Sequence, residues 1–275
     1  MPAARLETID DVLEALDGVI NRAIERRSRL GYFAAIYRQV TTRVAEGITS
    51  GAFDDGPRME RFDVAFAERY LAEVEAAFTG GEPKTMSFEL AFRAAESSRP
   101  IILQHLLLGI NSHINIDLGI AAATTAPADA LPTLRRDFDL LNEIIAALVA
   151  GVEEDLAEIS PLIGLLDVIG GRHDEEVIRF SIEVARAQAW RFAVELAALD
   201  GSDWPGPIRA RDARVAHVAR AVSNPGLLSA GLLVIRAGER HDVRHNIEVL
   251  ARMEAPDLVE VAARAALERA APPER

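Results

Sequence analysis

The stretch Ile101-Ile-Leu-Gln-His-Leu-Leu-Leu-Gly-Ile-Asn-Ser-His-Ile-Asn-Ile-Asp-Leu-Gly-Ile120 decides the fold. Its only formal charge is Asp117, in a chain where 27% of residues are charged. The run is long enough to cross a bilayer. However, Gln104, His105, Asn111, Ser112, His113, Asn115 and Asp117 would make that very costly. The spacing instead predicts a central helix over 101–123, buried on nearly all sides by other helices.

Those other helices are legible on both sides of it. Val12, Leu16, Val19, Ile20 and Ala23 form one stripe of period 3.6, and Phe33, Ile36, Tyr37, Val40 and Val44 a second. Phe62, Phe66, Tyr70, Val74 and Phe78 recur every four residues until Gly80-Gly81 stops them. A shorter helix is predicted over 88–95. Pro132 opens a helix that runs to Ile159, and Ser160-Pro161 starts a short one ended by Gly170-Gly171. Asp174 caps a long helix through Ala198. Further helices are predicted over 208–222, 227–236, 243–253 and 258–270. No period-2 strand stands out and no repeat of twenty to fifty residues is found. The fold class is therefore all-α, a multi-helix bundle around the 101–123 helix. We read 1–275 as a single domain, with Asp200 to Pro207 the one place where it could divide.

Composition narrows function further. The chain has 275 residues, no cysteine, 43 acidic residues against 30 basic ones, and a net charge of −13. Lys84 is its only lysine, an arginine bias from which we draw no mechanism. The acidic balance argues against nucleic acid or an anionic membrane as partner. Lack of cysteine removes disulfides, thiolate metal sites and cysteine nucleophiles. Met1 to Val12 carries acids and no apolar run, so no secretory signal is expected, and a cytoplasmic location is. No Walker, Rossmann or nucleophile-elbow motif occurs.

The polar groups of the central helix then matter most. At about 100° per residue, His113 and Asp117 lie about 40° apart and one turn from each other. Such a pair can offer a nitrogen and an oxygen to one divalent metal ion, zinc or iron. Equally, Asp117 can accept a hydrogen bond from His113 while Asn111 and Asn115 tie neighbouring helices together. Gly109, one turn before His113, leaves open space beside it. His105 lies two turns earlier.

Other residues have a plain reading beside a functional one. Asp137, Asp139 and Asn142 form a solvated flank with Arg135 and Arg136, unless an aspartate reaches the His113 site; Asp139 is the candidate third metal ligand. Arg186 and Trp190 could line a pocket as anion clamp and apolar wall. Asp63 is either a site carboxylate or one half of an ion pair. His241 and His245 read as a solvated face, His217 as a boundary position and His173 as part of a helix cap.

Four blocks resemble a bacterial family catalogued as domain of unknown function 5995. They are Gly31-Tyr-Phe-Ala-Ala-Ile-Tyr-Arg38, Arg58-Met-Glu-Arg-Phe-Asp63, His105 to Leu118, and Phe180-Ser-Ile-Glu-Val-Ala-Arg-Ala-Gln-Ala-Trp190. The resemblance implies that His105, Asn111, His113, Asn115 and Asp117 belong to a family motif, and implies no activity. A fainter similarity, His-x-x-x-Asp on a buried helix, is to zinc-dependent phospholipase C and P1-type nucleases. The further histidine and the His-x-x-x-Glu partner of those enzymes are missing, as is the Glu-x-x-His of di-iron bundles.

The sequence thus suggests a helical enzyme with a buried polar pocket at His113 and Asp117. A metal-dependent hydrolase or lyase acting on a small molecule is the leading expectation. His113 would serve as ligand or general base and Asp117 as ligand or orienting group, with His105, Asn111, Asn115, Arg186 and Trp190 binding the molecule. A metal-free helical binding protein and a purely structural polar core remain as alternatives.

Overall fold

The computed structural model describes residues 6–126, 128–165, 182–226 and 229–252. Among them are eleven α-helices and no strand. Helices α1 (Ile9–Arg26), α2 (Leu30–Ser50) and α3 (Gly56–Thr79) form the first layer, each packed on the other two. After α4 (Met86–Glu96), the central helix runs as α5 (Ile102–Ser112), a π turn (His113–Asp117) and α6 (Leu118–Thr125). A 3₁₀ segment (Ala128–Leu134) leads into α7 (Arg135–Ile159). Then come α8 (Ile182–Ala197), α9 (Pro205–Ser223), α10 (Ser229–Gly238) and α11 (Val243–Leu250).

Local chemistry explains the boundaries. Thr8 and Asp11 close a reciprocal capping box at the start of α1. Asp55 caps α3 through the Arg58 amide, and Pro57 follows in its first turn. Gly51 and Gly80 end α2 and α3 in the left-handed region, at φ 72° and 78°. Two further N-termini, of α4 and α5, are capped from a distance, and the loop ahead of α3 is held in the same way. Asp212 of α9 accepts from the amides of Met86 and Ser87, and Glu239 accepts from that of Ile102. Asp137 of α7 accepts from the amides of Asp54 and Asp55 just ahead of α3. The orphan amides of one helix are thus satisfied by the side chains of another, which fixes their relative positions.

The predicted central helix is present and lies inside the bundle. Its apolar window satisfies the length and composition of a membrane span, yet is 94% buried within the fold. One continuous cluster of buried apolar residues runs from Ile9 of α1 to Leu250 of α11. Walls for α5 come from α4, α9 and α2, and for α6 from α8 and α3.

Four details depart from the expectation. The central helix is not uniform, because residues 113–117 form a π turn. The space beside Gly109 is filled by Phe33, whose ring lies where a Cβ would meet it at 2.5 Å. Pro132 sits inside the 3₁₀ segment, and α7 starts at Arg135. His217 is exposed rather than at a boundary. The predicted 258–270 helix, the Gly170-Gly171 stop, His173 and the Asp174 cap lie outside the described residues.

Candidate functional site

His113 and Asp117 open and close the π turn, a rare winding that recurs at functional positions. Both are about 1% exposed. The His113 Nδ1 lies 3.0 Å from Asp117 Oδ2. The other carboxylate oxygen, Oδ1, accepts from Arg69 Nε of α3 at 2.7 Å. The Arg69 side chain is 32% exposed, so the buried carboxylate is linked through it to the surface.

An aromatic box surrounds the imidazole. Phe66 stacks face to face on it, and Tyr37 and Phe33 approach its edge with centroids at 4.6 and 5.8 Å. Tyr70 completes the enclosure at 5.6 Å. All four residues come from α2 and α3. Burial holds the His113 pKa below its ordinary value, although the Asp117 hydrogen bond pulls the other way. With Nδ1 turned to the carboxylate, the neutral ring places its proton there and its lone pair on Nε2. Among the described residues Nε2 has no hydrogen-bond partner.

Asp63, one turn before Phe66 on α3, adds a second unusual group. It is 1% exposed, its Oδ2 lacks a partner among the described residues, and burial raises its pKa to about 7. The Asp63 and Asp117 carboxylates both oppose ionisation of Tyr37, whose hydroxyl is held well above the ordinary phenol range by burial. Among the described residues Asp63 forms no ion pair, the plain alternative expected for it.

The asparagines face α9. Asn111 donates to the Val215 carbonyl of α9 at 3.1 Å, and Asn115 donates to Asn111 Oδ1 at 3.3 Å. Arg211 of α9 then grips Asn115 twice, through Nε to its carbonyl at 2.9 Å and through a terminal nitrogen to Oδ1 at 3.1 Å. A third bond reaches Gln188 of α8. Burial lowers the Arg211 pKa to about 10, still charged at neutral pH.

The remaining candidates fall elsewhere. Asp139 does not reach the pair: its carboxylate is 39% exposed and bound to Arg135, one turn away on α7. The buried members of that flank are Asp137, held by Arg58 and the two loop amides, and Asn142. Arg186 and Trp190 turn toward α7, Arg186 to the Asn142 carbonyl and Trp190 to Phe138, with Arg135 over the indole face. His105 packs edge-on against Tyr32 at 5.7 Å and lines a separate cleft. Arg69, Arg211 and the aromatic box were not singled out by sequence. The box was present as the stripe Phe62, Phe66, Tyr70, but nothing in that stripe says that an imidazole stacks on it.

A family described as a family of unknown function, DUF5995, matches residues 9–225. The chain belongs to that family. The match covers the whole of the His113 site and Arg211, and stops before α10. No curated protein and no solved structure matches the chain.

Proposed function

We propose that His113 and Asp117 form the working pair of a buried polar site, in which Nε2 of a neutral His113 accepts a proton or hydrogen bond from a small polar molecule. The observation that carries this reading is the division of labour on the imidazole. Nδ1 is committed to Asp117, the ring plane is fixed by Phe66, and Nε2 is left without a partner. A buried acceptor without a partner costs about 1–3 kcal/mol, which a bound donor would recover. An orienting carboxylate behind an imidazole is also the arrangement of a general base, so hydrolase or lyase chemistry on the bound molecule fits the same atoms.

A metal-dependent version is supported less well by the donor set. Arg69 occupies Asp117 Oδ1, where a guanidinium would repel a divalent cation. Among the described residues no group of three His, Asp or Glu stands close enough to hold a metal ion. The asparagine ladder with Arg211 favours a structural role for the opposite face of the same helix.

Elemental analysis and native mass spectrometry on protein purified without chelator test the reading, with His113→Gln and Asp117→Asn beside wild type. A co-purified small molecule, or a bound water seen by NMR at Nε2, lost in His113→Gln, is the expected result. Stoichiometric metal in wild type that both variants lose would overturn it.

A further inference from the structure

Two turns before His113, at the start of α5, a cleft opens between α2, α5 and the segment joining α10 to α11. Its walls include Arg29, Arg236, Arg240, Glu239, His105 and Asn246. Three arginines against one glutamate leave it positive, in a chain whose net charge is −13. Glu239 is already engaged: Oε1 accepts from the Ile102 amide at 2.8 Å and the Ser160 hydroxyl at 3.1 Å, and Oε2 lies 3.6 Å from Arg236. Arg236 is further held through Nε to the Ser98 carbonyl at 2.6 Å, while Arg29 and Arg240 retain unused donors. Arg29 makes one long bond to the Ala95 carbonyl at 3.4 Å, and Arg240, which is exposed, uses one terminal nitrogen on His245.

Two buried polar side chains that line this space carry atoms without partners among the described residues. His105 is 7% exposed, and neither ring nitrogen closes a hydrogen bond of good geometry among the described residues. Asn246 is 1% exposed; its Nδ2 donates to the Arg240 carbonyl at 2.9 Å and the Tyr32 hydroxyl at 3.2 Å. Because the Arg240 carbonyl can only accept, the amide orientation is fixed, and Oδ1 is the atom left unsatisfied. Burial, Arg29 and Arg236 together drive the His105 pKa down to about 3, against a weak pull from the Pro100 carbonyl, so the ring is neutral.

We propose that this cleft binds a small oxyanion that also carries a hydrogen-bond donor, with the arginines neutralising its charge and Asn246 Oδ1 accepting from its hydroxyl. His105, with one donor and one acceptor, completes the set. The interior has room for about one water-sized group. It therefore admits only the hydroxyl of such an oxyanion, as in hydrogen phosphate or a 2-hydroxycarboxylate, and leaves the charged oxygens at the mouth beside the arginines. This site is separate from Nε2 of His113, about 12 Å along the helix at 1.5 Å per residue, and does not depend on the reading of that pair.

Titration of the full chain with inorganic phosphate and with sulfate, at matched ionic strength and pH 7, separates charge from recognition. Sulfate carries the charge without a hydroxyl. Phosphate is expected to bind at least tenfold more tightly and to shift the His105 ring resonances. Lactate replaces it if the natural head is a hydroxycarboxylate, and the tighter of the two names the source. The Arg29→Gln, Arg240→Gln double variant, checked for folding by circular dichroism, is expected to lose at least tenfold in affinity. Equal, weak binding of phosphate, lactate and sulfate to wild type overturns the proposal without reference to any variant. So does a folded double variant that binds like wild type.

Discussion

The ring of Phe66 lies 3.7 Å from the ring of His113, centroid to centroid, and 7° from parallel. Asp117 fixes one nitrogen of that imidazole and Phe66 fixes its plane, so the direction of Nε2 is set by two helices at once. Truncating the stack removes both the packing and the plane. Phe66→Ala is expected to cost about 3–5 kcal/mol in urea denaturation. It is also expected to broaden the His113 ring resonances, which a purely apolar loss elsewhere in the core would leave sharp.

Arg69 reaches the same carboxylate from 48 positions away in sequence. Removing one partner of a buried pair strands the other, at a cost of about 3–5 kcal/mol for fully buried groups. Because Arg69 is partly exposed, Arg69→Met is expected to cost about 2–3 kcal/mol at pH 7, with Asp117 as the stranded charge. Adding Asp117→Asn should recover part of that loss. A double-mutant cycle showing additive losses would mean that the two side chains do not interact.

Stability should depend on pH through a buried carboxyl and two buried histidines, which act with opposite sign. Asp63 holds its proton in the folded chain up to about pH 7 and releases it near 4 when unfolded. Its contribution is present below pH 4 and is lost as pH rises through 7. Asp63→Asn should therefore be more stable than wild type at pH 8, and show a flatter profile between 4 and 7. His105 behaves in reverse. Held neutral down to about pH 3, its contribution is present above 6.5 and lost as pH falls. Burial of His113 acts in the same direction. His105→Gln should flatten the acid limb by up to about 1.4 kcal/mol per pH unit, measured by urea denaturation from pH 6 to 4.

Two glycines of the central helix touch different kinds of neighbour. A Cβ at Gly119 would sit 2.7 Å from the Ala189 carbonyl, backbone that cannot rotate away. At Gly109 it would meet the Phe33 ring, itself edge-on to His113. Both alanine variants should lose about 1–3 kcal/mol to overpacking. Only Gly109→Ala should also move the His113 resonances, through Phe33.

The chain's own sequence made the helices and the His113–Asp117 contact legible, because both follow from spacing along one element. What joins separate elements was not. Arg69 and Arg211 looked like two of many surface arginines, and no local pattern says which of them turns inward. The choice between Asp137 and Asp139 shows the limit sharply. Both sit beside the stripe Leu134, Phe138, Leu141, and only the loop carrying Asp54 and Asp55 decides which one is buried. Spacing alone leaves Gly109 beside open space, because the aromatic that fills it arrives from another helix.

The π turn has a consequence for how the central helix is indexed. One wider turn between Ser112 and Leu118 puts the two halves out of phase. The pattern that faces α4 and α9 in the first half is not continued in the second, which faces α3 and α8. A single deletion within 113–117 would bring the halves back into phase and so turn one of them toward the wrong wall. The winding therefore works as a built-in offset, and the imidazole and carboxylate sit at its two ends.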